Sequence, residues 1–219
     1  MLSIIIPACN EENYIENTIK SIKAQDFKKY EIIVVCDGCT DNTEKISRKL
    51  ANKVVVLKKR TGPAIAKNKG VKIAKGNKLV FLDSDTLLTK DVLENISKIL
   101  DKYPNIVGTC KIKPSNEKLK HKFMMFLKNH LICPFGVSNG MIFCTKKIFL
   151  KFNGFNKYFK KKEDGDFVRR IRKHSGFIIL DDYVISSTRR FDKKGYIKIG
   201  LYWVKEYFKP SNEDYEVIR

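Results

Sequence analysis

The chain has 219 residues, 43% hydrophobic and 31% charged, with 44 Lys and Arg against 24 Asp and Glu for a formal net charge of +20. That length and apolar content suit one buried core and exclude wholesale disorder, and no run of about 18 apolar residues is present to span a bilayer. The positive excess implies anionic partners, whether phosphorylated small molecules, an anionic membrane surface or nucleic acid; the alternative is a merely solvated, lysine-rich surface.

Met1-Leu2-Ser3-Ile4-Ile5-Ile6-Pro7 lacks the basic region and cleavage site of a signal peptide and reads as a strand, so a cytoplasmic protein is expected. Apolar runs of strand length follow at 2–6, 31–36, 53–57 and 78–82. Helical periodicity separates them at 12–24 (Tyr14, Ile15, Thr18, Ile19 and Ile22 on one side), 40–51 and 63–74. Strands alternating with helices predict an α/β fold, a mostly parallel twisted sheet flanked by helices. Beyond Asp85 the expected elements are a helix at 89–103, a strand at 106–112, a basic helix at 117–132 and a strand near 141–144. A short charged helix is expected at 164–173, then a strand at 177–180, a strand-like run at 183–188 and an amphipathic helix at 193–209 stopped by Pro210. No internal repeat or low-complexity linker divides the chain, so a single domain is expected.

In an open α/β sheet, ligands sit at the carboxyl ends of the strands. The polar clusters fall there: 8–12, 37–43, 83–86 and, later, 163–166. In Phe81-Leu82-Asp83-Ser84-Asp85 an apolar strand delivers two carboxylates at i and i+2, which in an extended segment point the same way and can face one divalent cation. The alternative is a strand-end turn in which Asp85 caps the next helix. Glu163, Asp164 and Asp166 form an acidic knot among Lys160–162 and Arg169–172, able to supply a general base or merely to favour a helix dipole. Arg189-Arg190 follows the 183–188 run and suits diphosphate or acceptor-phosphate contacts. The six cysteines read as free thiols, although Cys36-Asp37-Gly38-Cys39 matches C-x-x-C. Of the histidines, His174 is the one placed to reach a metal, ahead of His121 and His130.

Together these segments resemble glycosyltransferase family 2, which has the GT-A (Rossmann-like nucleotide-diphospho-sugar transferase) fold. Ser3–Glu12 (SIIIPACNEE) resembles that family's opening strand and donor loop, and Val34–Asn42 (VVCDGCTDN) its V-D-D-G-S-x-D segment. Ala66-Lys67-Asn68-Lys69-Gly70 resembles A-R-N-x-G, Phe81–Asp85 resembles D-x-D, and Glu163-Asp164-Gly165-Asp166 resembles E-D-x-D. The resemblance covers residues 1 to about 170. It implies a metal-dependent, inverting transfer of one sugar from a UDP- or GDP-linked donor to a glycan, lipid-linked or other hydroxyl, with Mg²⁺ or Mn²⁺. It also implies roles: Pro7, Ala8 and Glu11 at the nucleoside, Asp37 at the base, Lys67 near the phosphates and Asp83 at the ribose or sugar. Asp85, with Asp83, would hold the metal and Asp164 would deprotonate the acceptor, with Glu163 and Asp166 at the acceptor or phosphate. Arg189 and Arg190, beyond the resemblance, are assigned to acceptor or phosphate by their position after the 183–188 run. On this scheme residues 1–115 form the donor half, 116–192 the acceptor and base half, and 193–219 a helix and tail. Departures are Cys36 and Cys39 for Asp and Ser, Lys67 for Arg, and Asn153-Gly154-Phe155 for G-G-F.

Two rival classes fare worse. A nucleotidyltransferase would open with a Gly-rich loop carrying Arg and Lys, where this chain has Ala8-Cys9-Asn10-Glu11-Glu12. A nucleic-acid-binding module would gather its basic and aromatic residues on one motif, and none is visible, so no specific nucleic-acid partner is expected. The processive members' Q-x-x-R-W motif and transmembrane helices are also missing, which favours single additions. The basic helices at 117–132 (Leu119, Phe123, Leu127 and Leu131 on one side) and 193–209 can lie in an anionic membrane interface, at the inner face of the cell membrane, or pack on the sheet.

Overall fold

A computed structural model of the chain describes residues 1–136, 138–159 and 163–196; the side chains of Arg190, Lys193 and Lys194 lie outside the described residues, as do the lysines at 160–162 and the expected helix from 197 onward. The strands are β1 (Leu2–Ala8), β2 (Tyr30–Asp37), β3 (Lys53–Leu57), β4 (Lys78–Leu82), β5 (Thr86–Leu88), β6 (Val107–Pro114), β7 (Met141–Thr145) and β8 (Phe177–Ser186). The helices are α1 (Ile15–Lys23), α2 (Thr43–Leu50), α3 (Pro63–Ile73), α4 (Val92–Lys102), α5 (Leu119–Leu127), α6 (Lys146–Lys151), α7 (Glu163–Arg172) and α8 (Arg189–Lys194).

Among the described residues the strands form one mixed sheet in the order β3-β2-β1-β4-β7-β6-β8-β5. The first four strands pair in parallel. Antiparallel pairing enters with β7 and β5, while β6 and β8 run parallel. The two faces are readable in the alternation of β1. Leu2, Ile4, Ile6 and Ala8 pack with Ile15, Ile19 and Ile22 of α1 and Ile96 of α4 on one side. Ile5 packs with Ala66 and Val71 of α3, and with Phe149, Phe155 and Phe167, on the other. A strand covered on both faces needs apolar side chains at both parities, which is why SIIIPA carries no polar alternation. Gly70 brings α3 against β1: a Cβ there would stand 2.5 Å from Ile5 Cγ2.

The chain runs outward from β1 to β2 and β3, then returns to β4 on the other side of β1. That reversal opens a crevice at the carboxyl ends of β1 and β4, the place where such sheets take ligands.

Several elements differ from the sequence expectation. The helix expected at 89–103 is α4, but a strand the sequence did not suggest, β5, precedes it and pairs with β8. The 177–180 and 183–188 segments are one long strand whose pairing to β6 shifts register after Cys110. The 117–132 helix is α-helical only to Leu127, continues as a π-helical turn over Lys128–Ile132 and closes with a 3-10 turn at Cys133–Phe135. Its apolar stripe is reversed as well: His121, Met125 and Asn129 face inward, whereas Leu119, Phe123 and Leu131 are exposed. Arg189 opens a short helix, α8, which the sequence expectation does not include.

Candidate active site

The β1 and β2 loops are stitched to each other before any ligand is considered. Asn10 takes a left-handed backbone (φ 56°), and its side-chain oxygen accepts from Thr40 N–H at 2.7 Å. Glu11 N–H donates to Thr43 Oγ1 at 2.7 Å. Asp41 accepts from Glu12 N–H and Thr43 N–H, and Cys39 Sγ donates to the Ala8 carbonyl at 3.3 Å. Buried Asp37 accepts from Thr61 N–H and Oγ1 and from Gly62 N–H, all within 2.8 Å, and so ties β2 to the loop before α3. Pro7 and buried Ala8 end β1 in register with Val35 and Cys36.

Asp83 and Asp85 follow the last residue of β4. Asp83 N–H donates to the Gly140 carbonyl at 2.9 Å, and Thr86 N–H donates to the Asp83 carbonyl at 3.1 Å, closing a tight turn into β5. Asp85 therefore caps no helix. Gly140 packs against this turn with φ 81°, and a Cβ on it would stand 2.7 Å from Thr86 Oγ1. Burial pushes the Asp83 carboxyl up to about 7, with Asp164, Asp85 and Glu163 adding to the rise and Lys67 opposing it.

Arg189, 178 residues from Glu11 in sequence, grips it with both terminal nitrogens at 3.0 and 2.7 Å. The same Nη2 lies 3.1 Å from Asp85 Oδ2, and the guanidinium stacks 4.6 Å above the Tyr14 ring. Glu11 and Asp85 thus stand within reach of a single cation.

Deeper in the crevice, buried Lys67 donates to Glu163 Oε1 at 2.8 Å and Asp164 Oδ1 at 2.6 Å. Burial alone would lower the ammonium's pKa; Asp164, Glu163 and Asp83 together hold it above the usual lysine range. Burial raises the Glu163 carboxyl, against the pull of Lys67. Ser138 donates to the other Asp164 oxygen at 3.0 Å. The head of α7 is fixed from behind: Phe167 packs 4.7 Å from Phe155, which meets Phe81 of β4 edge-on at 4.8 Å. One aromatic wedge thus sets the distance between the end of β4 and the start of α7.

Asp83 and Asp85 offer the hard oxygens that Mg²⁺ or Mn²⁺ takes. Among the described residues no three metal-binding side chains converge, so a cation there fits only if phosphate oxygens and water complete its shell, as is usual for Mg²⁺. Thr86 Oγ1, Asn139 Oδ1 and Arg189 Nε are buried without a hydrogen-bond partner, and Thr86 and Arg189 border the two aspartates.

Of the residues singled out in the sequence, Glu11, Asp85 and Arg189 share one contact network, and Lys67, Glu163 and Asp164 another, with Asp83 between them electrostatically. Asp166 instead pairs with Arg170 of its own helix at 2.9 Å. The Arg190 side chain lies outside the described residues. His174 rests against Phe152, and His121 against Phe191 and Tyr196; neither contact belongs to the two networks. Ser138 carried no sequence signal, being one polar residue in an irregular loop. The Glu11–Arg189 pair was out of reach for the same reason: nothing local marks a contact across almost the whole chain.

A family model described as "Glycosyl transferase family 2" matches residues 3–176. The chain is 36% identical over 121 residues to the poly(ribitol-phosphate) beta-N-acetylglucosaminyltransferase TarS of Staphylococcus aureus, covering 52% of this chain and 21% of TarS. It is 30% identical over 192 residues to the GalNAc(5)-diNAcBac-PP-undecaprenol beta-1,3-glucosyltransferase of Campylobacter jejuni, covering 81% of this chain and 62% of that protein. The chain thus spans about a fifth of TarS and under two thirds of the C. jejuni protein. The crystal structure of S. aureus TarS residues 1–349 with UDP-GlcNAc superposes with a TM-score of 0.68 at 25% identity, over 85% of this chain and 58% of that one. The Pyrobaculum calidifontis mannosyltransferase PcManGT, solved with GDP-Man and Mn2+, superposes at 0.70 and 22% identity over 84% of this chain and 56% of that one, a likeness of fold.

Proposed function

Because the chain belongs to glycosyltransferase family 2, we propose that it transfers one sugar at a time from a nucleoside-diphosphate donor to an acceptor hydroxyl, with inversion. The observation that carries this reading is the convergence of two sets of carboxylates on one crevice: Asp83 and Asp85 after β4, Asp164 at the head of α7. Asp164 takes the proton of the acceptor hydroxyl as its oxygen forms the new bond to the sugar's anomeric carbon. The bond from that carbon to the diphosphate breaks, and the diphosphate leaves with the electron pair. Lys67 and Ser138 hold Asp164 on both oxygens, so its direction is set before the acceptor arrives. Pro7, Ala8, Glu11 and Asp37 frame the nucleoside, Asp83 the ribose or sugar, and Arg189 and Arg190 the phosphates. Asp85 and Asp83 would hold a divalent cation, Mg²⁺ or Mn²⁺, which when bound would supply positive charge for the leaving diphosphate.

The TarS complex supports a UDP-linked donor, with GDP-linked sugars the other class to test. The undecaprenol-linked acceptor in the name of the C. jejuni relative supports a lipid-linked acceptor here. On this reading the chain works as one domain, residues 1–115 binding donor and 116–192 acceptor, peripherally at an anionic membrane. No helix among the described residues is long and apolar enough to cross a membrane.

Calorimetry with nucleotide and Mn²⁺ tests the site. Asp85→Ala should abolish metal-dependent nucleotide binding and leave the fold intact; unchanged binding would remove Asp85 from the metal site.

A further inference from the structure

We propose that the outward face of α5 and the two turns after it is a docking surface for an anionic lipid bilayer, and that it brings a lipid-carried acceptor to Asp164. The second clause rests on the membrane-proximal acceptor proposed above; the docking surface stands on its own observations.

Leu119, Phe123, Phe126, Leu131 and Phe135 are 81, 59, 55, 61 and 54% exposed. In an α-helix, Leu119, Phe123 and Phe126 fall on one stripe, and Lys120 and Lys122 fall on either side of it. Scattered apolar residues on a surface need no explanation, but a continuous stripe of large ones marks an interaction site. The helix is held by its other side, through His121 and Met125 and then Asn129, which bonds the Ile112 N–H and carbonyl of β6 at 2.8 and 2.9 Å. The contacts that seat α5 on the sheet are thus made by that side, and the exposed apolar residues stand on the other.

Charge chooses the partner. Between Glu117 and Glu163 the sequence contains no acidic residue, while lysines recur throughout. A protein interface carries a rim of mixed sign. Glu117 and Asp192 pair with Lys122 and Lys118 at the head of α5. Past that first turn the stripe is flanked by lysines without acidic neighbours in sequence, and it complements a negative plane into which such helices sink their apolar face.

The surface also leads to the site. Arg172 of α7 donates to the Pro134 carbonyl at 3.0 Å. Gly136 packs so closely on Val168 that a Cβ would stand 3.0 Å from Val168 Cγ1. Two residues on, Ser138 holds Asp164. The exposed Phe135 and the Ser138 that holds Asp164 are three residues apart in sequence, so the surface and the proposed base share one stretch of chain.

The test is co-sedimentation of the full chain with phosphatidylcholine vesicles, with or without about 30% phosphatidylglycerol. The wild type should pellet with the anionic vesicles at low salt, stay in solution with the neutral ones, and be released by about 0.5 M salt. Phe123→Glu/Leu131→Glu alters two exposed positions and should keep the melting temperature and the vesicle-free consumption of nucleotide-sugar. Its partition into anionic vesicles should fall roughly tenfold or more. Three outcomes overturn the proposal: wild type that ignores both vesicles at low salt, a double variant that pellets like wild type, or a wild-type dimer that the same substitutions break without any vesicle binding. Vesicle binding by a chain that consumes no nucleotide-sugar would support the surface and overturn its use for an acceptor.

Discussion

Asp164 divides its two oxygens between Lys67 and Ser138, so replacing it by Asn keeps shape and much of the hydrogen bonding while removing basicity. Turnover should fall roughly 100-fold or more with donor affinity unchanged; survival within a few-fold would move the base to Glu163 or Asp166. Asp83 makes a separate prediction about the ligand-free fold. Its folded pKa of about 7 lies above the ordinary 3.8, so the native state binds the extra proton between those values. The stability associated with this carboxyl is fully present below pH ~4 and is lost as pH rises to ~7, by up to a few kcal/mol. Thermal unfolding of metal-free wild type relative to Asp83→Asn should show that decline, and a pH-independent difference would refute the crowding of Asp83 by Asp85, Glu163 and Asp164. Arg189 is the countercharge that Glu11 and Asp85 share. Removing it in Arg189→Ala should tighten Mn²⁺ binding in the absence of nucleotide, since even 1.4 kcal/mol of relieved competition is a factor of about ten. Titration by Mn²⁺ paramagnetic resonance reads this directly, and weaker binding in the variant would contradict it.

The elements up to β4 were legible because their signals are local. Strand β1 is apolar at both parities, α1 shows its stripe of Ile15, Ile19 and Ile22, and the strand-end positions of Asp37, Asp83 and Asp85 followed from where the apolar runs stop. The elements from β5 onward were less legible because they answer to partners far away in sequence. Strand β5 is three residues long and exists through its pairing with β8. The apolar side of α5 is conspicuous in the sequence, yet the buried side is the one carrying His121 and Asn129, held by polar contacts across the fold: His121 Nδ1 with Asn116, Asn129 with Ile112. The loop before β7 illustrates the dependence. Gly140 both accepts from Asp83 N–H and occupies a left-handed conformation against Thr86. Gly140→Ala should cost roughly 1–3 kcal/mol and displace Asp83, lowering the melting temperature and nucleotide affinity together. Loss of stability with affinity preserved would separate that loop from the site.

For the molecule as a whole, the parallel order β3-β2-β1-β4 creates one crevice at the strand ends, and α7 brings Asp164 within electrostatic reach of Asp83 there. The +20 charge gives this body a long-range attraction for phosphate-bearing donors and surfaces that fades with salt. The central claim is that the two walls act together on a nucleotide-sugar. The most direct measurement is release of nucleoside diphosphate from a panel of UDP- and GDP-sugars with Mg²⁺ or Mn²⁺, comparing wild type, Asp85→Ala and Asp164→Asn. The account predicts slow consumption of at least one donor by the wild type, abolished by chelation and by Asp85→Ala and strongly reduced by Asp164→Asn once an acceptor is supplied. Consumption indifferent to both substitutions, or no consumption across the panel, would contradict it.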